Sequence, residues 1–121
     1  MKPLIMSNPV VNFNEYRSRM NDKLLKGAST TLKRIFSLDN QAYKEGSLDV
    51  ATKELLGLVA STVLRYDDCI KNHLENCIKE GLTKKQVMEA LEIATVVGGS
   101  IVIPHLRRAY EYWEALENQT K

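Results

Sequence analysis

The chain is poor in the residues that build metal cages, disulfide frameworks and membrane anchors. Among 121 residues there are two cysteines, two histidines, three prolines and one tryptophan. Cys69 and Cys77 are too few for a disulfide framework. Cys69 and His73 could supply two metal ligands, but Cys77 and His105 stand at no ligand-like spacing. Neither a metal nor another cofactor is therefore expected. No stretch approaches the ~20 apolar residues that cross a bilayer, so no membrane partner is expected. The opening MKPLIMSNPVV has no long apolar core of the kind a signal peptide carries, which makes the cytoplasm the expected location. Charge of one sign is missing too. The net charge is +2, and no recognition motif accompanies it, so nucleic acid is not an expected partner. Residues 1–46 carry eight Lys/Arg against four Asp/Glu, and residues 47–121 carry nine against eleven. That mild asymmetry reads as solvated helix faces. Period-two alternation, internal repeats and low-complexity tracts are absent as well.

What remains is a succession of helical patterns, and the expected fold is an all-α bundle of about six helices forming one domain. Within it, 1–46 is an N-terminal helical segment and 47–121 is the region carrying the motifs. Phe13, Tyr16, Met20 and Leu24 recur at helical spacing and predict a first helix ending near Gly27. Ser29 is placed to cap a second helix with Leu32, Ile35 and Phe36, and the polar stretch Ser37–Gly46 reads as a connection with room for a helical turn. Asp49 is a good N-cap for a third helix, with Leu55, Leu56, Val59, Val63 and Leu64 as its apolar residues. Tyr66, Cys69, Ile70, His73, Leu74, Cys77 and Ile78 form the most regular stripe of the chain, with Asp67 as cap and Gly81 just past the end. Thr83 and Gln86 make a capping box for a fifth helix bearing Val87, Ala90, Leu91 and Ala94. Gly98-Gly99 breaks the run, and a last helix starts around Pro104 with Leu106, Ala109, Trp113 and Leu116. The run Ala94–Ile103 is more apolar than a monomer surface tolerates, which leaves burial inside the chain or at a subunit interface.

Cys69 and His73 are four residues apart, so a helix stacks them one turn apart on one face. That spacing lets an imidazole take a thiol proton, the requirement for an activated sulfur nucleophile. Cys69 also falls in a first helical turn, where the dipole favours a thiolate. Asp67 and Asp68 oppose this with negative charge nearby, and spacing alone leaves the balance open. A cysteine and a histidine on an apolar stripe are equally readable as packed core residues.

Glu54, followed twelve residues later by Tyr66-Asp-Asp-Cys69-Ile-Lys-Asn-His73, resembles the carboxymuconolactone decarboxylase / alkylhydroperoxidase D family. The family pattern is a Glu, the same twelve-residue gap, then Cys-x-x-Cys-x-x-x-His. The lead-in Leu48–Leu56, the segment from Gly81 and the paired glycines at 98–99 extend the resemblance from Leu48 to Ile103. It implies the family's helical fold and a homotrimer or homohexamer. It also implies a site in which Cys69 is the reactive sulfur, His73 the proton acceptor and Glu54 the group that orients the relay. Tyr66, Asp68 and His105 are expected to line the pocket.

This sequence departs from the redox members at Tyr66, which stands where they have their first cysteine. Cys77 is no substitute, because eight residues of helix separate its Cα from that of Cys69 by ~12 Å. The expectation is a thiol-dependent, antioxidant oxidoreductase of peroxiredoxin type, with a small-molecule substrate and an external thiol reductant. The alternatives are a lactone decarboxylase or related proton-transfer enzyme using His73 and Glu54, and a non-catalytic ligand-binding oligomer. In the decarboxylase reading, Arg65, Lys71, Arg107 and Arg108 are candidates to hold developing negative charge.

Overall fold

The computed structural model describes residues 8–119. The first seven residues of the opening MKPLIMSNPVV and the last two of the chain lie outside the described residues, as do the outer ends of the two expected segments. Among the described residues there are six α-helices, a 3-10 turn and no strand. The helices are α1 (Pro9–Lys26), α2 (Thr30–Ala42), α3 (Val50–Val63), α4 (Asp67–Lys79), α5 (Lys84–Gly98) and α6 (Ile103–Gln119), with the 3-10 turn Ser100–Val102 before α6. The fold is all-α, and no helix among the described residues is long and apolar enough to cross a membrane. Contacts gather into two units that divide between Lys44 and Glu45.

The first unit consists of α1 and α2. Asn8 caps α1 by accepting from the N–H groups of Val10 (2.9 Å) and Val11 (3.2 Å), and Pro9 takes the first helical position. The connection expected over Ser37–Gly46 is shorter than that, because α2 runs on to Ala42 and leaves only residues 43–46 of that stretch outside a helix. Its polar side chains face solvent, and Gln41 Nε2 donates to Ser37 Oγ one turn back (3.4 Å), so polarity there does not oppose helix. The amphipathic pattern of these two helices finds almost no cover. Val10 is the sole buried residue of α1, α2 has none, and Tyr16, Leu24, Ile35 and Leu38 are exposed.

The second unit is an α3–α4 hairpin packed against α5 and α6. Its core is built on Leu58, Ile70, Leu74, Val87, Leu91 and Val102, all essentially inaccessible. The α5 stripe Val87, Ala90, Leu91 and Ala94 is buried as its periodicity predicts, and the Thr83–Gln86 capping box is formed. On α6, Ala109, Trp113 and Leu116 are buried, and Tyr112 joins them, whereas Leu106 is half-exposed.

The buried face of α3 is rotated from the expected one. Glu54, Gly57, Leu58, Ser61 and Thr62 face inward, while Leu56 and Leu64 are exposed and Leu55, Val59 and Val63 are half-buried. Hydrogen bonding decides the phase. Glu54 is satisfied by α4, and Thr62 Oγ1 donates to the Leu58 carbonyl (2.7 Å), so both polar groups enter the core with partners.

Two turns fix α4 at its ends. At its start, Arg65 takes a left-handed φ of 60°. Arg65 N–H then donates to the Thr62 carbonyl (3.0 Å) and Tyr66 N–H to the Ser61 carbonyl (2.9 Å), a Schellman turn built without glycine. At its end, Gly81 (φ 80°) supports the same pair of bonds, to the carbonyls of Ile78 and Cys77. Gly98 serves close approach instead. A Cβ there would lie 2.5 Å from Val102 Cγ2 and 3.6 Å from the Val63 Cα, so only glycine lets α5 close against the 3-10 turn and the end of α3.

Candidate active site

The hairpin brings two buried polar groups together. His73 Nδ1 lies 2.7 Å from Glu54 Oε1, and both side chains are about 5% exposed. A carboxylate oxygen can only accept, so Nδ1 carries the proton and donates. The tautomer is thereby set, and Nε2 is left as the nitrogen that can take a proton. Asn76, one turn further along α4, donates its Nδ2 to the same Glu54 oxygen (3.3 Å). Asn76 was not legible as a site residue. Its only signal was the three-residue spacing from His73, which puts both on the face turned to α3.

Cys69 is the third residue of α4 and is half-buried. Helical side chains lean toward the N-terminus, so the His73 ring lies over the turn that carries Cys69. Cys77, one turn beyond His73, is fully buried, and neither cysteine is in a disulfide. Burial, and then the negative charge of Glu54, push the Cys77 thiol up to about 12. The two sulfurs thus sit in different chemical settings on one stripe.

Of the remaining expected pocket residues, Tyr66 is exposed and acts as the N-cap of α4 without a side-chain cap bond. Asp68 is exposed. His105 is bonded to Asp67 at the start of α4 rather than to the Glu54–His73 pair. Asp67 is not the cap that its position suggested. Its Oδ1 accepts from His105 Nδ1 (2.6 Å) and its Oδ2 accepts from Arg108 Nε (2.8 Å). Charge-assisted donors from α6 outcompete the backbone N–H groups of its own turn. Burial acts to raise the Asp67 pKa, but the His105 and Arg108 bonds together with the Arg108 charge outweigh it and hold this carboxyl below its ordinary value. Arg108 Nη2 is also 3.1 Å from His105 Nδ1. Two donors cannot share that contact as a hydrogen bond, so the Nδ1 proton goes to Asp67.

Among the described residues, no group of three His, Cys, Asp or Glu is arranged to hold a metal ion. The arrangement offers a thiol at a helix N-terminus, an imidazole with a fixed tautomer one turn away, and a buried carboxylate that orients it. This is the layout of a nucleophile, a base and an orienting group.

The chain closely resembles a solved structure from Thermotoga maritima, a carboxymuconolactone decarboxylase family protein for which an involvement in antioxidative response has been suggested. The two are 53% identical with a TM-score of 0.87, over 90% of this chain and 92% of that one. A family member from Legionella pneumophila is 28% identical with a TM-score of 0.78, over 95% of this chain and all of that one. An alkyl hydroperoxide reductase AhpD of Corynebacterium kroppenstedtii is 40% identical over 55 residues, which are 46% of this chain and 32% of that protein. The chain spans at most about two thirds of the length of the curated relatives it matches, and about a third of the hydroperoxide reductases. The model of the carboxymuconolactone decarboxylase family matches residues 30–112. With that match covering most of the chain, including α3 and α4, the protein belongs to the carboxymuconolactone decarboxylase family.

Proposed function

We propose that the protein is a thiol-dependent hydroperoxide reductase that works through Cys69 alone. The observation that carries this reading is the buried Glu54–His73 bond, one helical turn from a half-buried thiol at the N-terminus of α4. The likeness to an alkyl hydroperoxide reductase over 55 residues supports it. The Cys69 thiol passes its proton to His73 Nε2, and the resulting thiolate attacks the terminal oxygen of a hydroperoxide. An S–O bond forms as the O–O bond breaks. The alkoxide takes the proton back from His73 and leaves as an alcohol, with Cys69 as a sulfenic acid. An external thiol then displaces water to give a mixed disulfide. A second equivalent releases the Cys69 thiol, so two external thiols are oxidised for each peroxide reduced. Glu54 keeps His73 in the required tautomer and stabilises its protonated form.

Site-resolved labelling tests the choice of sulfur. With a maleimide at pH 8, read by mass spectrometry, Cys69 is expected to react at least ~10-fold faster than Cys77, because only a thiolate at an accessible position reacts. Equal or faster labelling of Cys77 overturns the assignment. Thiol-supported peroxide reduction that survives Cys69→Ser overturns the redox mechanism itself.

The same reading includes self-association as a homotrimer or homohexamer. Val96 is 84% exposed, Val97 68%, Ile93 58% and Ile101 57%, a concentration of apolar surface in the run around Gly98-Gly99. Sedimentation at micromolar concentration is expected to show a trimer or larger species. Val96→Glu with Val97→Glu is expected to shift it toward monomer. A wild-type monomer at that concentration overturns this part.

A further inference from the structure

Asp67 sits at the first position of α4, two residues before Cys69, where an uncompensated carboxylate would oppose thiolate formation. The charged and titratable groups around this turn are Arg65 just before α4, Asp67, Asp68, Lys71 and His73 on α4, Glu54 on α3, and His105, Arg107 and Arg108 on α6. Among the cations here, Arg108 has its Nε on Asp67 Oδ2 at 2.8 Å. His105 holds the other oxygen at 2.6 Å, so the carboxylate is turned to α6 with both oxygens engaged. The turn is thus relieved in two ways. The Asp67 charge is matched by a cation from another helix, and the first-turn N–H groups are not taken by a side-chain cap from Tyr66.

We propose that Arg108 is a positioning residue for Cys69, acting through Asp67: it cancels the carboxylate charge at the start of α4 and so keeps the Cys69 thiolate accessible near neutral pH. The proposal rests on the reading that Cys69 is the reactive sulfur. It differs from a purely structural role in the sign of its effects. The Asp67–Arg108 pair sums to zero charge. Losing Arg108 leaves −1, losing Asp67 leaves +1, and losing both restores zero.

The test is the pH profile of iodoacetamide alkylation at Cys69 in the full chain, read by mass spectrometry at that cysteine. Arg108→Gln is expected to move the midpoint up by about half a pH unit or more, and Asp67→Asn to move it down by a similar amount. The double variant returns close to wild type, and Arg108→Lys, which keeps the charge, stays near it. A shift of Arg108→Gln and Asp67→Asn in the same direction shows a structural role at the helix start and overturns the proposal. So does the absence of a shift in both. If Arg108→Gln fails to fold by circular dichroism, Asp67→Asn and Arg108→Lys decide: an unlowered midpoint in the first, or a raised one in the second, overturns it. Peroxide turnover is measured in parallel. Profiles that move as expected in a protein without turnover remove the reductase reading and leave this one standing.

Discussion

Tyr66→Cys is expected to raise dithiol-supported peroxide reduction at least ~10-fold and to create a reversible disulfide with Cys69. Main-chain bonds hold the backbone at position 66 from both sides. Its N–H is on the Ser61 carbonyl, and its carbonyl accepts from Ile70 N–H (3.0 Å), so the turn does not depend on the tyrosine side chain. The side chain is exposed, and its loss opens no cavity in the core. Residue 66 is the N-cap and Cys69 the third helical residue, one turn apart, where Cα atoms approach the ~5.5 Å that a disulfide prefers. With two sulfurs present, the sulfenic acid on Cys69 is closed by the neighbouring thiol with loss of water. A dithiol reductant then resets the pair. The unmodified protein lacks that local second thiol and is expected to stop at a sulfenic acid without an external one, and at a mixed disulfide when a second external equivalent is withheld. Mass spectrometry of the intact chain reads the loss of two hydrogens on disulfide formation, and peroxide consumption reads the gain. His73→Ala and Glu54→Gln are each expected to lower the gained activity. A folded Tyr66→Cys that forms no disulfide and consumes no peroxide would bring the lactone or ligand-binding readings forward.

Glu54→Ala is expected to cost about 3–5 kcal/mol of stability, far more than truncating a surface carboxylate. Glu54 is 4% exposed, and its Oε1 accepts from both His73 and Asn76. Removing it leaves an imidazole N–H and an amide N–H without their acceptor inside the hairpin, and the desolvation cost of each remains. Glu54→Gln retains an acceptor oxygen and is expected to cost less than half as much. Urea unfolding followed by Trp113 fluorescence measures both. For a unit of this size the alanine variant corresponds to a fall in Tm of roughly 12 °C or more. A loss under about 1 kcal/mol would show that the bond is not held in solution, and the assigned relay would fall with it.

These expectations show where sequence was enough. Short-range physics decided α4: the i, i+3, i+4 stripe, Gly81 past its end and the four-residue step from Cys69 to His73 were readable before any packing was known. The Thr83–Gln86 box and the glycine break at 98–99 were local in the same sense. Composition and periodicity sufficed there because the interactions span four residues or fewer. The pairing of Glu54 with the Cys69–His73 stripe came from family resemblance, since no spacing rule links positions nineteen apart.

Tertiary structure decided the rest. The apolar residues of α3 suggested a face through Leu55, Leu56 and Leu64, yet the helix turns Glu54, Ser61 and Thr62 inward. A partner on α4 for Glu54 and one in the helix's own backbone for Thr62 remove the cost of burying those two groups, and hydropathy cannot see a partner. Asp67 looked like a cap because caps are local. Arg108, forty-one residues away, offered a stronger bond. The exposed stripes of α1 and α2 are the converse case. Amphipathicity determined that they are helices, but two helices have too little apolar area between them to close a core, so their stripes stay exposed.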